Sequence, residues 1–146
     1  MHCTICPMTR GDRETVLGMM RTFYASPAVW TNGSEEIFAA DFDACVGENP
    51  FLEGFLLRNG EEILGYAMVA KSFSTEFGKP CIWIEDLYLK PEYRGQGVGS
   101  GFLQHMAAWY PGAILRLEVE EENKQAIAAY RKSGFEVLPY MEMKRE

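Results

Sequence analysis

Apolar residues recur at helical spacing in two segments within the first third of the chain. Segment 11–25 follows a short apolar run at 3–8, which predicts an opening strand. The apolar residues of segment 11–25 lie on one helix face and are Val16, Leu17, Met20, Phe23 and Tyr24. A second helix is predicted between Ser34, a favoured N-cap residue, and Gly47, a common helix stop.

The rest of the chain alternates between extended and helical patterns. Asn59-Gly60 separates two apolar runs, 51–58 and 61–71, and this dipeptide indicates a tight β-hairpin. The later elements are predicted in the order strand 81–89, helix 98–110, strand 113–119, helix 123–133 and strand 135–143. The complete predicted order is β-α-α-β-β-β-α-β-α-β.

These elements predict an α/β (α+β) fold with a mixed central sheet. The length of 146 residues fits a single domain, which we expect to span residues 1–146. The hairpin requires antiparallel pairing in the middle of the chain. The later strand-helix-strand unit requires a parallel pair joined by a right-handed crossover.

Composition and charge narrow the class of partner. The chain is 47% hydrophobic and 24% charged, as in ordinary globular proteins, and no apolar run is long enough to cross a bilayer. The first residues lack the features of a secretion signal, so we expect a cytoplasmic protein without a membrane partner. The net charge of −7 argues against nucleic acid and is compatible with a cationic substrate.

The cysteines do not predict a metal site. Cys3 and Cys6 form a C-x-x-C pair, but no second Cys or His pair follows at the spacing of a zinc site. On a strand, side chains three positions apart point to opposite faces. We therefore expect reduced thiols and no bound metal.

A glycine-rich loop joins the strand 81–89 to the following helix. Gly95, Gly97 and Gly99 leave room for a ligand at the unpaired N–H groups of the first helical turn, where the helix dipole adds positive charge. Arg94 adds a cationic side chain. This arrangement predicts a phosphate site, although a tight turn that only starts the helix remains the alternative. The loop is neither a Walker A motif nor part of a βαβαβ dinucleotide unit.

Three stretches of the chain resemble the GNAT superfamily of N-acyltransferases. Residues 94–99, Arg-Gly-Gln-Gly-Val-Gly, are similar to its acetyl-CoA pyrophosphate loop, Gln/Arg-x-x-Gly-x-Gly/Ala. Residues 84–93 resemble the family's fourth strand and the entry to that loop. Its Asn-x-x-Ala-x-x-x-Tyr-x-x-x-Gly-Phe signature is matched by Asn123, Ala126, Tyr130, Gly134 and Phe135. The predicted order of elements also matches the family topology.

The resemblance implies acetyl-CoA as co-substrate and gives roles to particular residues. The pantetheine arm is expected to contact the backbone of Leu87, Tyr88 and Leu89. The pyrophosphate is expected to bind the segment made of Arg94, Gly95, Gln96, Gly97, Val98, Gly99 and Ser100. Asn123 is expected to contact CoA or its bound water, and Tyr130 to face the sulfur.

The expected chemistry is direct transfer of the acetyl group to a primary amine in a ternary complex. An alkylamine is mostly protonated at pH 7, so a base is needed, and Glu85, alone or with Asp86, is the candidate. Glu85 and Asp86 are also candidates for binding a cationic substrate, and a structural role for Glu85 is a third alternative. On a regular strand only one of these neighbours faces the cleft, unless a bulge intervenes. Tyr130 is the candidate acid for the leaving thiolate, with core packing as its alternative.

The acceptor is less defined by the sequence. Trp30, Phe73 and Phe77 are candidates for the wall of the acceptor pocket, with core packing as the alternative. The segment around Glu85 and Asp86 resembles the diamine acetyltransferase branch, which implies a polyamine or lysine-like substrate. Protein N-terminal or lysine amines and amine-bearing antibiotics remain open, as do a non-catalytic acyl-CoA sensor and a nucleotide-phosphate binder. By analogy with small members of the family, we expect a homodimer formed through the C-terminal strands.

Overall fold

The computed structural model describes residues 2–146, which form four helices, five strands and two short 3-10 turns. The strands are β1 (Thr4–Pro7), β2 (Leu52–Asn59), β3 (Glu62–Ser74), β4 (Lys79–Leu89) and β5 (Ile114–Leu117). The helices are α1 (Arg13–Tyr24), α2 (Glu35–Val46), α3 (Val98–Trp109) and α4 (Lys124–Lys132). The 3-10 turns are Arg10–Asp12 and Pro91–Tyr93.

The five strands form one mixed sheet in chain order, β1-β2-β3-β4-β5. The first four strands pair antiparallel, and β5 pairs parallel with β4 through the crossover that contains α3. The predicted hairpin is present, and its Gly60 has a φ of +61° that suits the tight turn. The predicted fold class and mixed sheet are therefore confirmed.

The local sequence explains where α2 begins and ends. The Ser34 hydroxyl accepts a hydrogen bond from the Ile37 backbone N–H at 3.2 Å, as expected of an N-cap. Glu35 and Glu36 in the first turn favour the positive end of the helix dipole. Gly47 is the C-cap, as predicted. The position of α2 is important because its inward face packs on the sheet at β2 and carries Asp41 into a cavity described below.

The two faces of the sheet carry separate apolar cores. The first core joins α1 and α2 to one face; its largest members are Phe38, Phe42, Tyr66, Tyr88 and Met20. The second core joins α3 to the opposite face; its largest members are Phe55, Phe102, Leu57, Leu64 and Met106. The sheet is therefore covered on both sides, and its strands carry few polar side chains in their central parts.

A one-residue bulge in β4 changes the face of the sheet on which the alternate side chains of this strand lie. Ile82 and Ile84 pack in the second core, whereas Tyr88 packs in the first. In an unbroken strand these residues share a face, because side chains alternate with a period of two. The pairing with β3 shifts between Ile84 and Asp86, which leaves Glu85 as the extra residue.

The predicted last strand over 135–143 is wrong. No strand is present between Phe135 and Glu146, and Val137, Met141 and Met143 are largely exposed. The alternating pattern there matches a strand, but Pro139 has no backbone N–H to give to a ladder. The segment instead runs beside β5 and α4, where it lines a groove.

We predict that Gly65→Ala lowers the free energy of unfolding by about 1–3 kcal/mol, because β3 and β4 approach closely at this point. A Cβ on Gly65 would lie 2.0 Å from the backbone oxygen of Tyr88. The matched control is Gly18→Ala in α1, where no atom lies within 4 Å of the added Cβ. The control should be more stable than the parent by about 0.5–1 kcal/mol. Urea denaturation measures both changes, and a Gly65→Ala protein as stable as the parent would contradict the packing described here.

Candidate active site

Glu85 and Asp86 line the same cavity because of the bulge in β4. Met68 of β3 pairs with Asp86 and Val69 pairs with Ile84, so Glu85 has no partner across the ladder. The sequence allowed both carboxylates to face one cleft only if a bulge intervened, and the structure contains that bulge. Both side chains line a cavity of about 300 Å³.

This cavity, which we call the acidic pocket, lies between α1, α2 and the sheet. Its lining residues are Tyr24, Asp41, Leu52, Met68, Ala70, Glu85 and Asp86. Three of these residues carry carboxylates and none carries a cationic side chain. Such a lining favours a small, positively charged ligand with an apolar stem.

Asp86 is the most buried carboxylate of the pocket, with 5% of its surface exposed. Its Oδ2 accepts a hydrogen bond from the Tyr66 hydroxyl at 2.7 Å, and its Oδ1 accepts one from the Tyr24 hydroxyl at 3.0 Å. Burial raises the pKa of Asp86, and the two tyrosine hydrogen bonds oppose that rise. Burial and the carboxylate also raise the pKa values of both tyrosines, which remain donors.

The other two carboxylates of the pocket are poorly compensated. Burial, with a smaller contribution from Asp86, raises the pKa of Asp41 to about 6. Glu85 lies at the mouth, where partial desolvation and the charges of Asp86, Glu142 and Asp41 raise its pKa. The pocket therefore holds negative charge that a bound cation would stabilise.

The sequence did not single out Asp41, Tyr24 and Tyr66 as parts of the site. A signal for Asp41 was present, because it lies three residues after Phe38 and four before Cys45, on the inward face of α2. A carboxylate at such a position is unusual in an amphipathic helix. The two tyrosines had the pattern of core residues, and only the fold shows what their hydroxyls contact.

The loop before α3 has the geometry of an anion cradle. Gly95 and Gly97 have φ values of +74° and +83°, which L-residues with side chains rarely adopt. Gly97 is the N-cap of α3, and no side chain caps the first turn. No atom lies within 4 Å of the position of a Cβ on Gly97. The N–H groups at 98–100 therefore have no side-chain cap within residues 2–146, which leaves them available to a diphosphate.

The side chains of the loop attach it to the end of β4. Arg94 Nε donates to the Leu89 carbonyl at 3.0 Å, and its guanidinium lies 5.8 Å from the centre of the Tyr88 ring. Gln96 Nε2 donates to the Glu92 carbonyl at 2.9 Å. These contacts hold the loop beside the strand that carries Glu85.

The edge of β4 is open where the resemblance places the pantetheine arm. Pairing between β4 and β5 ends at Ile84 and Leu117. Beyond this point β4 continues through Leu87, Tyr88 and Leu89 without a partner in β5. β5 ends here, so this edge of β4 is free of any strand among residues 2–146, and an extended ligand can pair with its backbone.

Asn123 and Tyr130 lie on α4, beyond the end of β5. Asn123 Oδ1 accepts from the Ala126 N–H at 3.2 Å, so its side chain caps α4. Tyr130 is partly buried beside Phe135, with ring centres 6.0 Å apart, and burial raises its pKa. Its hydroxyl makes no hydrogen bond to any of residues 2–146. Tyr130 lines the groove beside β5 and Glu85 lines the acidic pocket, so the structure does not bring these two groups into one cavity.

The three aromatic candidates do not line the acidic pocket. Trp30, in the connection between α1 and α2, is 80% exposed, and Phe73 is 62% exposed. Core packing is therefore the wrong interpretation for both. Phe77 lies at the turn between β3 and β4 and lines the groove beside β5.

Two further properties concern the described part of the chain. Within residues 2–146, no three His, Cys, Asp or Glu side chains come together in an arrangement that could hold a metal ion. None of the helices in this range is both long and apolar enough to cross a membrane.

Comparison with known proteins identifies relatives over most of the chain. Residues 17–135 match the Acetyltransferase (GNAT) family. The thialysine N-epsilon-acetyltransferase of Sus scrofa is 34% identical over 137 residues, which cover 85% of this chain and 78% of that protein. The Bos taurus protein of the same name is 34% identical over 141 residues, covering 88% of this chain and 81% of the relative.

Solved structures show the same fold at low sequence identity. A possible acetyltransferase from Clostridium difficile 630 has a TM-score of 0.81 at 16% identity, covering 99% of this chain and 97% of that one. The enzyme AAC(6')-Iy, in complex with a bisubstrate analogue, has a TM-score of 0.79 at 17% identity, covering 100% and 99%. With the family match over residues 17–135 and the two mammalian relatives, these findings confirm the predicted family: the chain belongs to the acetyltransferase (GNAT) family.

Proposed function

We propose that this acetyltransferase moves the acetyl group of acetyl-CoA to a primary amine of a small cationic molecule, by direct transfer in a ternary complex. One observation carries the proposal. The bulge in β4 places Glu85 and Asp86 together in an acidic pocket, and the same strand leads directly to the glycine loop before α3.

The co-substrate would lie along β4 and across the loop. The free edge of β4 at Leu87, Tyr88 and Leu89 supports backbone contacts to the pantetheine arm. The uncapped first turn of α3 supports diphosphate binding through the N–H groups from Val98 to Ser100. The remaining N–H groups of the Arg94 guanidinium are free to add a charge-assisted contact. Asn123, whose Oδ1 caps α4, would use its amide nitrogen toward CoA or a water bound to it.

The acceptor would enter the acidic pocket with its amine toward Glu85. The names of the mammalian relatives specify acetylation of an Nε amine, which agrees with a polyamine or lysine-like acceptor. The pocket volume of about 300 Å³ is at the lower end for small-molecule sites and suits a short, narrow chain. Trp30 would reach the acceptor only from the rim, given its exposure.

Glu85 is proposed as the base that removes a proton from the bound ammonium, directly or through water. Its raised pKa brings its basicity closer to that of a base working at neutral pH. The freed amine then forms a C–N bond with the thioester carbonyl carbon, and the C–S bond breaks. A backbone N–H of β4 near Leu87 would polarise the carbonyl oxygen.

Tyr130 is proposed as the acid that gives a proton to the departing thiolate. Its hydroxyl is protonated at neutral pH, as that of an ordinary tyrosine is, and burial raises its pKa further. It has no hydrogen-bond partner among residues 2–146. A free donor of this kind is available to a ligand atom. The thiolate therefore receives its proton from Tyr130. Of the two protons that the ammonium loses on becoming an amide, the first goes to Glu85 before the attack. The second leaves the nitrogen as the C–S bond breaks and returns through water to the Tyr130 oxygen.

We also propose a homodimer in which the C-terminal segments of two copies contribute to the interface. The outer edge of β5 has no strand partner within residues 2–146, and the exposed apolar side chains of Val137 and Met141 line the groove beside it. Met143, two residues further along, is also exposed. Open strand edges and exposed apolar residues favour association with a second chain. A cytoplasmic location stays a prediction from the sequence.

The proposed function predicts thiol release when the protein is mixed with acetyl-CoA and a small diamine. The release should follow the concentration of the amine, and the product should be the N-acetylated amine by mass spectrometry. CoA binding in calorimetry without thiol release across a broad panel of small amines would contradict the enzyme and support a sensor. Thiol release with peptides but with none of the small amines would contradict a small-molecule acceptor and indicate a protein amine instead.

Gly97→Val should weaken CoA binding at least tenfold, because a β-branched residue is strained at a φ of +83° and its side chain covers the N–H groups of the cradle. Gly101→Val is the matched control, since Gly101 lies one turn later in α3 and a Cβ there meets no atom within 4 Å. Titration calorimetry at a temperature where both variants are folded gives the two dissociation constants. Equal affinity of both variants and the parent would place the diphosphate elsewhere.

Tyr130→Phe should lower kcat by about a hundredfold and change the dissociation constant of CoA by less than about twofold, since only the donor to the thiolate is removed. The Phe ring keeps the contact with Phe135. Steady-state kinetics and calorimetry on the same preparation separate the two quantities. An unchanged kcat would remove Tyr130 from the reaction.

A further inference from the structure

Asp41 is the carboxylate of the acidic pocket that the proposed reaction does not use. It lies on α2, whereas the other two carboxylates of the pocket lie on β4. Asp86 is held by two tyrosines, and Glu85 is assigned to the reacting amine. Asp41 forms no hydrogen bond or ion pair with any of residues 2–146, whereas Asp43, two positions later, pairs with Arg13 at 2.7 Å.

The location of Asp41 costs stability in the ligand-free protein. The side chain is half-buried and faces the negative charge of Asp86. Removing a carboxylate from water without a cationic partner is unfavourable. Groups held in such positions are frequent in functional sites, where a ligand supplies the missing partner.

We infer that Asp41 determines specificity by binding a second ammonium group at the far end of the acceptor, so that the pocket selects diamines over amino acids. This inference rests on the proposed function and extends it to the class of acceptor. The amine to be acetylated would lie at Glu85, and the alkyl chain would cross the apolar part of the pocket formed by Leu52, Met68 and Ala70.

The charges of the pocket favour a diamine over a lysine-like amino acid. An amino acid has a carboxylate beside its far ammonium group. That carboxylate would lie among three others, and the pocket lining offers no Lys or Arg to receive it. A diamine has the same reach and only positive charge, so it matches both ends of the pocket.

Three acceptors with the same five-carbon chain test this selection. Lysine differs from 1,5-diaminopentane by one carboxylate, and pentylamine differs from it by the loss of the far ammonium. The parent enzyme should have at least tenfold higher kcat/KM for 1,5-diaminopentane than for either of the other two. A parent enzyme that uses lysine as well as 1,5-diaminopentane would overturn the inference.

Asp41→Asn should lower kcat/KM for 1,5-diaminopentane at least tenfold, mainly through KM, and change that for pentylamine by less than about twofold. The matched control is Asp43→Asn on the same helix, which removes an exposed ion pair. This control should leave kcat/KM unchanged for all three acceptors. Equal losses for the diamine and the monoamine, or no loss for either, would overturn the assignment of Asp41.

Binding without turnover separates this inference from the proposed function. Calorimetry with 1,5-diaminopentane on protein saturated with CoA, which carries no acetyl group, should show at least tenfold weaker binding for Asp41→Asn. A parent protein that binds the diamine through Asp41 but acetylates no amine would contradict the function and keep the inference. If parent and variant acetylate the diamine with the same KM, the result would support the proposed function and contradict the role of Asp41.

The melting temperature distinguishes a binding role for Asp41 from a structural one. Ionised Asp41 opposes folding above pH 6, because its pKa is about 6 in the folded protein against 3.8 normally. This cost disappears as the pH falls towards 4. The groups that face Asp41 are Tyr24 of α1, Cys45 of α2, Tyr66 of β3, and Glu85 and Asp86 of β4.

Asp41→Asn should therefore raise the melting temperature of the ligand-free protein by about 2–4 °C at pH 8, with a difference that vanishes near pH 4. Asp43→Asn should show no such gain. A lower melting temperature for Asp41→Asn at pH 8 would indicate that the side chain supports the fold, and would overturn the binding role.

Discussion

The extra residue at Glu85 decides which side of the sheet each later side chain of β4 occupies. Ile82 and Ile84 face the core beneath α3, and without the bulge Asp86 and Tyr88 would follow them there. With the bulge, Asp86 and Tyr88 turn toward α1 and α2, where Asp86 meets the hydroxyls of Tyr24 and Tyr66. The acidic pocket exists because of this change of face. The close approach of β3 to β4 at Gly65 helps to hold the register beyond it.

The pocket concentrates charge that the fold itself does not neutralise. Two tyrosines satisfy Asp86, but Asp41 and Glu85 keep raised pKa values because burial and neighbouring carboxylates disfavour their charged forms. A protein selected for stability alone would replace such groups with apolar or neutral ones. The start of α3 likewise has polar groups that the described part of the chain does not pair. This helix begins without a side-chain cap, which leaves its first N–H groups available to an anion. Both ends of the proposed ternary complex are therefore regions where the ligand completes interactions that the chain leaves open.

Sequence patterns predicted those features that depend on local rules. The helices, the Asn59-Gly60 hairpin, the Ser34 cap and the glycine loop each follow from the preferences of a few neighbouring residues. The strand predicted at 135–143 was wrong although the outer edge of β5 beside it has no strand partner within residues 2–146, because alternation alone does not secure backbone pairing and Pro139 has no N–H to give to a ladder. The sequence did not predict the bulge itself; it showed only that Glu85 and Asp86 could face one cleft if a bulge lay between them. The register of a strand is set by the packing of its two faces rather than by its own sequence. Asp41 carries a sequence signal, a carboxylate on the inward face of α2, but only the packing of α2 on the sheet shows that it lines the same cavity as Glu85 and Asp86. Trp30 is 80% exposed, although its apolar side chain favours packing in a core.

One bulged residue brings Glu85 and Asp86 to the cavity that Asp41 of α2 also lines, and we propose that the acceptor binds there while the loop before α3 holds the diphosphate. A crystal structure of the protein with CoA and 1,5-diaminopentane tests this claim most directly. The account predicts that Glu85 has no partner in β3, that one amine of the ligand lies at Glu85 and the other at Asp41, and that the diphosphate contacts the amides at 98–100. A regular ladder in which Val69 pairs with Glu85, or a diamine bound outside the acidic pocket, would contradict it.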